Sequence, residues 1–332
     1  MLLHNGLKGT GSTMRWTVIC ALLLAVAAGS AAPALSDAPA PAAVLTSCRG
    51  PVSVQHAGVS SPASFGLALH DGDEVKTGPE GEAEIVFSAG NWVQIGPNSS
   101  MKIKGRPAAA SGATPDAADR AGANGSFEVV QSFLKLKSSE GTSAIGGLRS
   151  GEKPPVLEPM APCQTRIRTA RPVFRWRSED PSLALKLTLY GNNATVWTSD
   201  VSGLTTAGYP ADAPALTPGV SYGWTLETSD PLVVPPLHTT TSYFEIIPPA
   251  DAQGLDTDLS QLDANQPGSL TYHLVRASLF FDRGLVDDAI TETEAAVAAD
   301  PENASLRTIL GRLYAEAGRS RDAIDEWNRA RP

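Results

Sequence analysis

The sequence predicts a multidomain chain in which two all-β regions, a small β domain and then a β-sandwich, precede a pair of α-helical hairpins. Three observations carry this. Residues 48–150 contain short segments that alternate apolar and polar positions between Gly, Pro, Asn and Asp turns; residues 163–248 repeat that texture with more aromatic side chains; and residues 269–332 match themselves at an offset of 34.

The elements are preceded by an export segment. "MRWTVICALLLAVAAGSAA" from Met14 has a basic start, an apolar run of about 13 residues and small residues suited to cleavage, which makes residues 1–32 a signal peptide. Residues 1–13 carry no targeting logic of their own, which points to Met14 as the start. An uncleaved membrane anchor fits less well, since the run is shorter than the roughly 20 residues that span a bilayer. A lipoprotein attachment at Cys48 in "LTSC" also fits less well, because Ala- and Pro-rich chain separates it from the apolar run. The expected location is therefore periplasmic or secreted. Of the 26 basic residues, Lys8 and Arg15 lie in the removed segment, leaving 24 against 35 acidic and a net charge near −11. Nucleic acid is excluded as a partner on that balance, for it requires a basic surface.

Residues 33–47 are Pro/Ala-rich and read as a linker. The first β region follows at 48–150, with strands expected in "PVSVQH", "FGLALH", "DEVKTG", "AEIVF", "NWVQIG" and "SMKIKG". Residues 105–126 form a low-complexity insertion that cannot bury a core and is expected to be disordered; "FEVVQSFLKLKS" after it reads as one or two further strands. Within the region, Leu69, Gly72, Asp73, Val75, Thr77, Gly78, Gly81, Ala83, Ile85, Phe87, Gly90, Ile95, Ser99 and Ile103 fall in the pattern "L..GD.V.TG..G.A.I.F..G....I...S...I". This pattern resembles the FecR domain over residues 51–104. The resemblance implies a bacterial exported protein, and sequons at Asn98, Asn124, Asn193 and Asn303 then carry little meaning. "HDGD" and "TGPEGE" read as hairpin-type turns, and Val75, Ala83, Ile85 and Phe87 alternate toward a core.

Residues 151–162 read as a Pro-rich linker, and residues 163–248 as the sandwich, with Trp176, Tyr190, Trp197, Tyr222 and Trp224 supplying interior bulk. Leu216, Pro218, Gly219, Tyr222 and Trp224 in "L.PG..Y.W.L" resemble immunoglobulin-like and fibronectin type III modules. Residues 249–268 read as a third linker. In the helical region the offset of 34 pairs Ala277 with Gly311, Phe280 with Tyr314, Gly284 with Gly318, Asp288 with Asp322, Ala289 with Ala323, Ile290 with Ile324 and Ala296 with Ala330. These positions resemble the tetratricopeptide repeat, with Pro301 at the handover between repeats. Thr293 departs from the pattern where a large apolar residue is usual, and Trp327 meets it. Two repeats leave an apolar face uncovered, to be closed by a sister chain, the β domains or a partner helix.

The chemical motifs give no catalytic, cofactor-binding or metal-ligating residues. Asp71, Asp73, Glu74, Glu80, Glu82 and Glu84 crowd one stretch, but a calcium loop from Asp71 would need an oxygen ligand and a glycine where Val75 and Lys76 stand. "GTSAIGG" has P-loop glycine spacing, with Gly147 in place of the lysine. His56, His70, His238 and His273 show no ligand spacing. Cys48 and Cys163 permit one bridge between the first two domains.

The expected function is therefore that of a non-enzymatic exported envelope scaffold or adaptor that binds another envelope protein or peptide. By the tetratricopeptide resemblance the binding positions are Leu274, Ser278, Phe281 and Asp282 in the first repeat and Thr308, Arg312, Ala315 and Glu316 in the second. Packing of Leu274 and Phe281 against the sandwich or in a homo-oligomer competes with that assignment. Two alternatives are binding of peptidoglycan or another glycan by exposed aromatics, and a periplasmic role in FecR-type signalling. The latter lacks a cytoplasmic segment to carry the signal inward.

Overall fold

Alternation in the first region resolves into two four-stranded sheets packed face to face. A computed structural model describes residues 40–88, 91–104, 126–137, 157–263 and 270–331. The export segment, residues 105–125 of the insertion and "GTSAIGG" lie outside the described residues. The strands are β1 (Ala43–Arg49), β2 (Val52–His56), β3 (Val59–Pro62), β4 (Ala68–Leu69), β5 (Glu74–Thr77), β6 (Glu82–Phe87), β7 (Trp92–Ile95) and β8 (Ser100–Lys102). Their orders are β4-β1-β6-β7 and β3-β2-β5-β8. Leu45, Val54, Leu69, Val75, Ala83, Ile85, Val93 and Ile103 form the core between them. The expected alternation of Val75, Ala83, Ile85 and Phe87 is seen in the burial of all four.

Three expectations for this region change. Residues 43–47 are part of β1, a central strand that pairs β4 and β6, so the linker ends sooner than its Pro/Ala composition suggests. "HDGD" and "TGPEGE" are turns but not hairpins: each carries the chain from one sheet to the other, because β4 and β6 share a sheet that excludes β5. A β-carbon on Gly81 would stand 2.4 Å from the Pro51 carbonyl oxygen, so the second crossing needs glycine at that point. "FEVVQSFLK", finally, is a helix, α1 (Ser126–Leu134), followed by a short 3-10 turn at Lys135–Lys137. Phe127, Val130, Phe133 and Leu134 recur at helical spacing and are all buried, which outweighs the β preference of the Val-Val pair.

The second region holds β9 (Leu157–Ala161), β10 (Thr165–Ile167), β11 (Val173–Ser178), β12 (Leu185–Gly191), β13 (Ala194–Asp200), β14 (Thr206–Gly208), β15 (Ser221–Thr228) and β16 (Ser242–Ile246). A five-stranded sheet, β10-β16-β15-β12-β13, and a three-stranded sheet, β14-β11-β9, share one core. The supposed linker 151–162 thus supplies β9, whose Ala161 and Leu157 pair with Arg175 and Ser178. Trp224 is fully buried and its indole N–H donates to the Pro162 carbonyl at 2.7 Å. Phe174 packs on Trp224, Trp197 and Phe244, and Trp176 and Tyr222 are buried, whereas Tyr190 points out. Cys48 and Cys163 are free thiols.

The helical region begins earlier than expected, with α2 (Pro249–Asp263) in the supposed linker 249–268; Leu255, Leu259 and Leu262 bury one stripe of it. Then come α3 (Leu270–Asp282), α4 (Val286–Ala299), α5 (Ala304–Glu316) and α6 (Ser320–Arg329). α3 and α5 begin and end 34 residues apart, α4 and α6 begin 34 apart, and Gly284 and Gly318 turn the two hairpins with φ of 74° and 75°. Thr293 is buried and donates to the Ala289 carbonyl at 2.7 Å, which satisfies the hydroxyl that stands where bulk was expected. No helix among the described residues is long and apolar enough to cross a membrane.

From Ala40 onward the elements cluster as one unit. The sheet β4-β1-β6-β7 is buried on both faces: Val44, Val86 and Trp92 leave the β core and join the core of the helices.

Candidate functional site

The eight positions expected to bind a partner lie on α3 and α5, the first helices of the two hairpins. α1 packs along α3, and the turn at Lys135–Lys137 reaches α5, so the face that these helices would offer already holds a helix from the same chain. Phe133 meets Phe281 edge to face with ring centroids 5.7 Å apart. Leu274 and Ser278 are fully buried, the Ser278 hydroxyl donating to the Val275 carbonyl at 2.7 Å. Ala315 and Phe281 are half-buried against the same apolar core as Phe127, Val130, Phe133 and Leu134.

The remaining positions, half-buried or exposed on the same two helices, make up the rim of the expected surface. Arg312 approaches Glu316 at 3.6 Å one turn on, Asp282 and Glu316 are exposed, and the Thr308 hydroxyl is tied back to the Ala304 carbonyl. The structure thus places α1 and the turn after it against the helices that carry these positions, a neighbour that the sequence reading did not foresee. α1 ends against the first β region: the Lys137 ammonium donates to the Phe65 carbonyl at 2.7 Å and lies 5.9 Å from the Phe65 ring centroid. Burial lowers its pKa. The helix is therefore held by an apolar stripe along its length and a charge-assisted bond at its C-terminal end.

A second polar layer joins the sandwich strands to the helices. Arg177 bridges Glu158 and Asp322, both at 2.8 Å, and Arg319 reaches the other oxygen of Asp322 at 2.7 Å. Burial raises the Asp322 pKa, but the bonds from Arg177 and the charge of Arg319 outweigh it and the net shift is downward. Asp287 opens α4 beside them. Burial pushes its carboxyl up to about 7 against the pull of Arg319 and Arg175, with Asp288 adding to the rise, and its Oδ1 has no hydrogen-bond partner among the described residues. Cys163 is buried next to Ser242, and burial pushes its thiol up to about 12, out of the range of a nucleophile.

The structure also brings together side chains that sequence spacing kept apart. Asp73 is buried; its carboxylate accepts from the His56 ring at 2.5 Å and from the His70 backbone at 2.8 Å. Its partners fix a turn, as do those of Thr77, whose hydroxyl donates to the Gly96 carbonyl at 2.6 Å and accepts from Ser99. Motif residues of the first β region thus hold the fold. Among the described residues no three His, Cys, Asp or Glu side chains converge to hold a metal. Outside the groove, the loop between β15 and β16 carries Leu232 and Val234, 88% and 82% exposed. Compared with protein-family models and with curated protein sequences, the chain matches none.

Proposed function

We propose that the chain is a non-enzymatic exported envelope scaffold that docks a helical segment of another protein on its tetratricopeptide-like helices, with the FecR-like and immunoglobulin-like β regions as the rigid base. The observation that carries this reading is the seating of α1 along α3 and toward α5, which presents a surface shaped for an amphipathic helix. The 34-residue spacing of helix boundaries supports the repeat assignment. The two-sided burial of β4-β1-β6-β7 supports a fixed base. Burial of Trp176, Tyr222 and Trp224 leaves Tyr190 and Tyr243 as exposed aromatics of the sandwich, a smaller platform than glycan binding by all of them would have.

The test is site-specific photo-crosslinking in intact cells from the exposed rim positions Asp282 and Glu316, with Glu245 in the sandwich as control. A discrete protein adduct from the rim and none from the control is expected. Adducts to peptidoglycan, or an equal pattern from all three positions, would defeat the proposal.

A further inference from the structure

We infer that α1 is a built-in occupant of the groove and competes there with a helix of the same chemistry in the partner. This rests on the docking function proposed above and adds the partner's recognition pattern. The pattern is an amphipathic helix with large apolar residues at positions i, i+3, i+6 and i+7, as Phe127, Val130, Phe133 and Leu134 stand in α1, followed one turn later by a basic residue where Lys137 stands.

The apolar side chains of α1 belong to the helical core, and three observations let the helix act there as a displaceable occupant. It has nine residues, including an adjacent Val129-Val130 pair, so it is too short and too β-branched to persist as a helix without the surface it lies on. It pairs with no strand, and its departure breaks no sheet. Twenty-one residues separate Lys104 from Ser126 and nineteen separate Lys137 from Leu157, enough covalent length for α1 to leave with loss of the Lys137–Phe65 bond while the strands of both β regions stay paired.

A second copy is the weaker competitor. Its α1 offers identical contacts, while the resident α1 has the advantage of intramolecular effective concentration. A foreign helix with more favourable contacts can win, at an apparent affinity reduced by the fraction of molecules in which the groove is open.

The probe is a fluorescent peptide with the sequence of residues 126–137, titrated into the full chain and into the full chain carrying Val130→Asp and Phe133→Asp. The doubly substituted chain is expected to bind at least tenfold more tightly than the unsubstituted chain, and a peptide carrying the same two substitutions is expected to bind neither. Equal or absent binding by a substituted chain that keeps its helical circular dichroism overturns the inference. Hydrogen exchange on the unsubstituted chain decides the matter if the substituted chain does not fold. Amides of Val130–Leu134 are expected to exchange at least tenfold faster than those of Leu274–Phe280. Equal protection, or a dimer formed by exchange of α1, overturns it. Either failure leaves protein docking at another face untouched, which the rim crosslinks test separately.

Discussion

Gly311 on α5 and Trp327 on α6 meet so closely that a β-carbon on the glycine would stand 2.6 Å from the indole nitrogen and 3.1 Å from the Ala323 carbonyl oxygen. Alanine improves helix propensity by about 1 kcal/mol, but overpacking of this kind costs about 1–3 kcal/mol. Gly311→Ala should therefore lower stability by about 1 kcal/mol, read as a lower urea midpoint at unchanged slope. Asp287 gives a prediction of opposite character. Its folded-state pKa of about 7 lies above the ordinary value of 3.8, so between these limits the folded chain binds the extra proton. Its contribution is complete below about pH 4, declines as pH rises and is gone above about pH 7. Asp287→Asn should flatten the loss of stability between pH 4 and pH 7 in urea titrations, and at pH 8 should raise stability by up to about 4 kcal/mol, a bound in which the pull of Arg319 and Arg175 on the carboxylate is already included. Such residues are where the sequence was least legible. Gly311 was visible as half of a repeat pair, but the burial of Asp287 comes from strands more than a hundred positions away. Asp73 stood in a recognisable pattern, yet its bond to His56 depends on how β2 and β5 lie together.

At the level of elements, adjacent residues of β6 serve different cores. Ile85 faces the second sheet of the first β region, while Val86 faces the helices. Ile85→Ala should destabilise by about 2–4 kcal/mol and speed amide exchange chiefly in β1, β2 and β5; Val86→Ala, by about 1–2.5 kcal/mol, should speed it chiefly in α3. Similar exchange maps for the two variants would mean that the cores are one. The same geometry explains why sheet alternation was readable and its outer face was not. Period two marks Val75, Ala83, Ile85 and Phe87, but "IVF" also satisfies a strand buried on both sides, and only the helices decide between them. The strand reading of "FEVVQSFLK" failed for a related reason. Val-Val and Leu-Lys-Leu-Lys favour period two, and the helical stripe Phe127, Val130, Phe133, Leu134 becomes decisive once α3 is there to receive it. The helical hairpins were legible because each is a local unit whose glycine turn and small residues sit at fixed offsets.

For the molecule as a whole, the sandwich and the helices are fastened by polar contacts more than by shared apolar core. Arg166 donates its backbone N–H to the Gly284 carbonyl at 2.8 Å, Arg321 meets Glu179 at 2.7 Å, and Arg177 spans Glu158 and Asp322. The first β region is joined to the same helices by apolar contact through Val44, Val86 and Trp92, with the buried pair Thr46 and Thr271 sharing a hydrogen bond at 2.8 Å. The two junctions should therefore respond differently to acid. Exposed pairs such as Arg321–Glu179 contribute at most about 1 kcal/mol and are screened, whereas removing one partner of a more buried pair leaves the other uncompensated at a cost of about 3 kcal/mol. Arg177→Ala should leave Glu158 and Asp322 facing each other with only Arg319 to balance them, and unfolding followed by calorimetry should then split into two transitions, the sandwich parting from the helices and first β region. Asp322 carries the acid limb of the same effect: its pKa is lowered in the folded chain, so its contribution is present above the ordinary carboxylate range and is lost as pH falls through the lowered value. Acidification should accordingly bring the unsubstituted chain toward the split seen for Arg177→Ala, while added salt at neutral pH moves it little. A single transition for Arg177→Ala would show that apolar contact, not this charged layer, couples the sandwich to the rest.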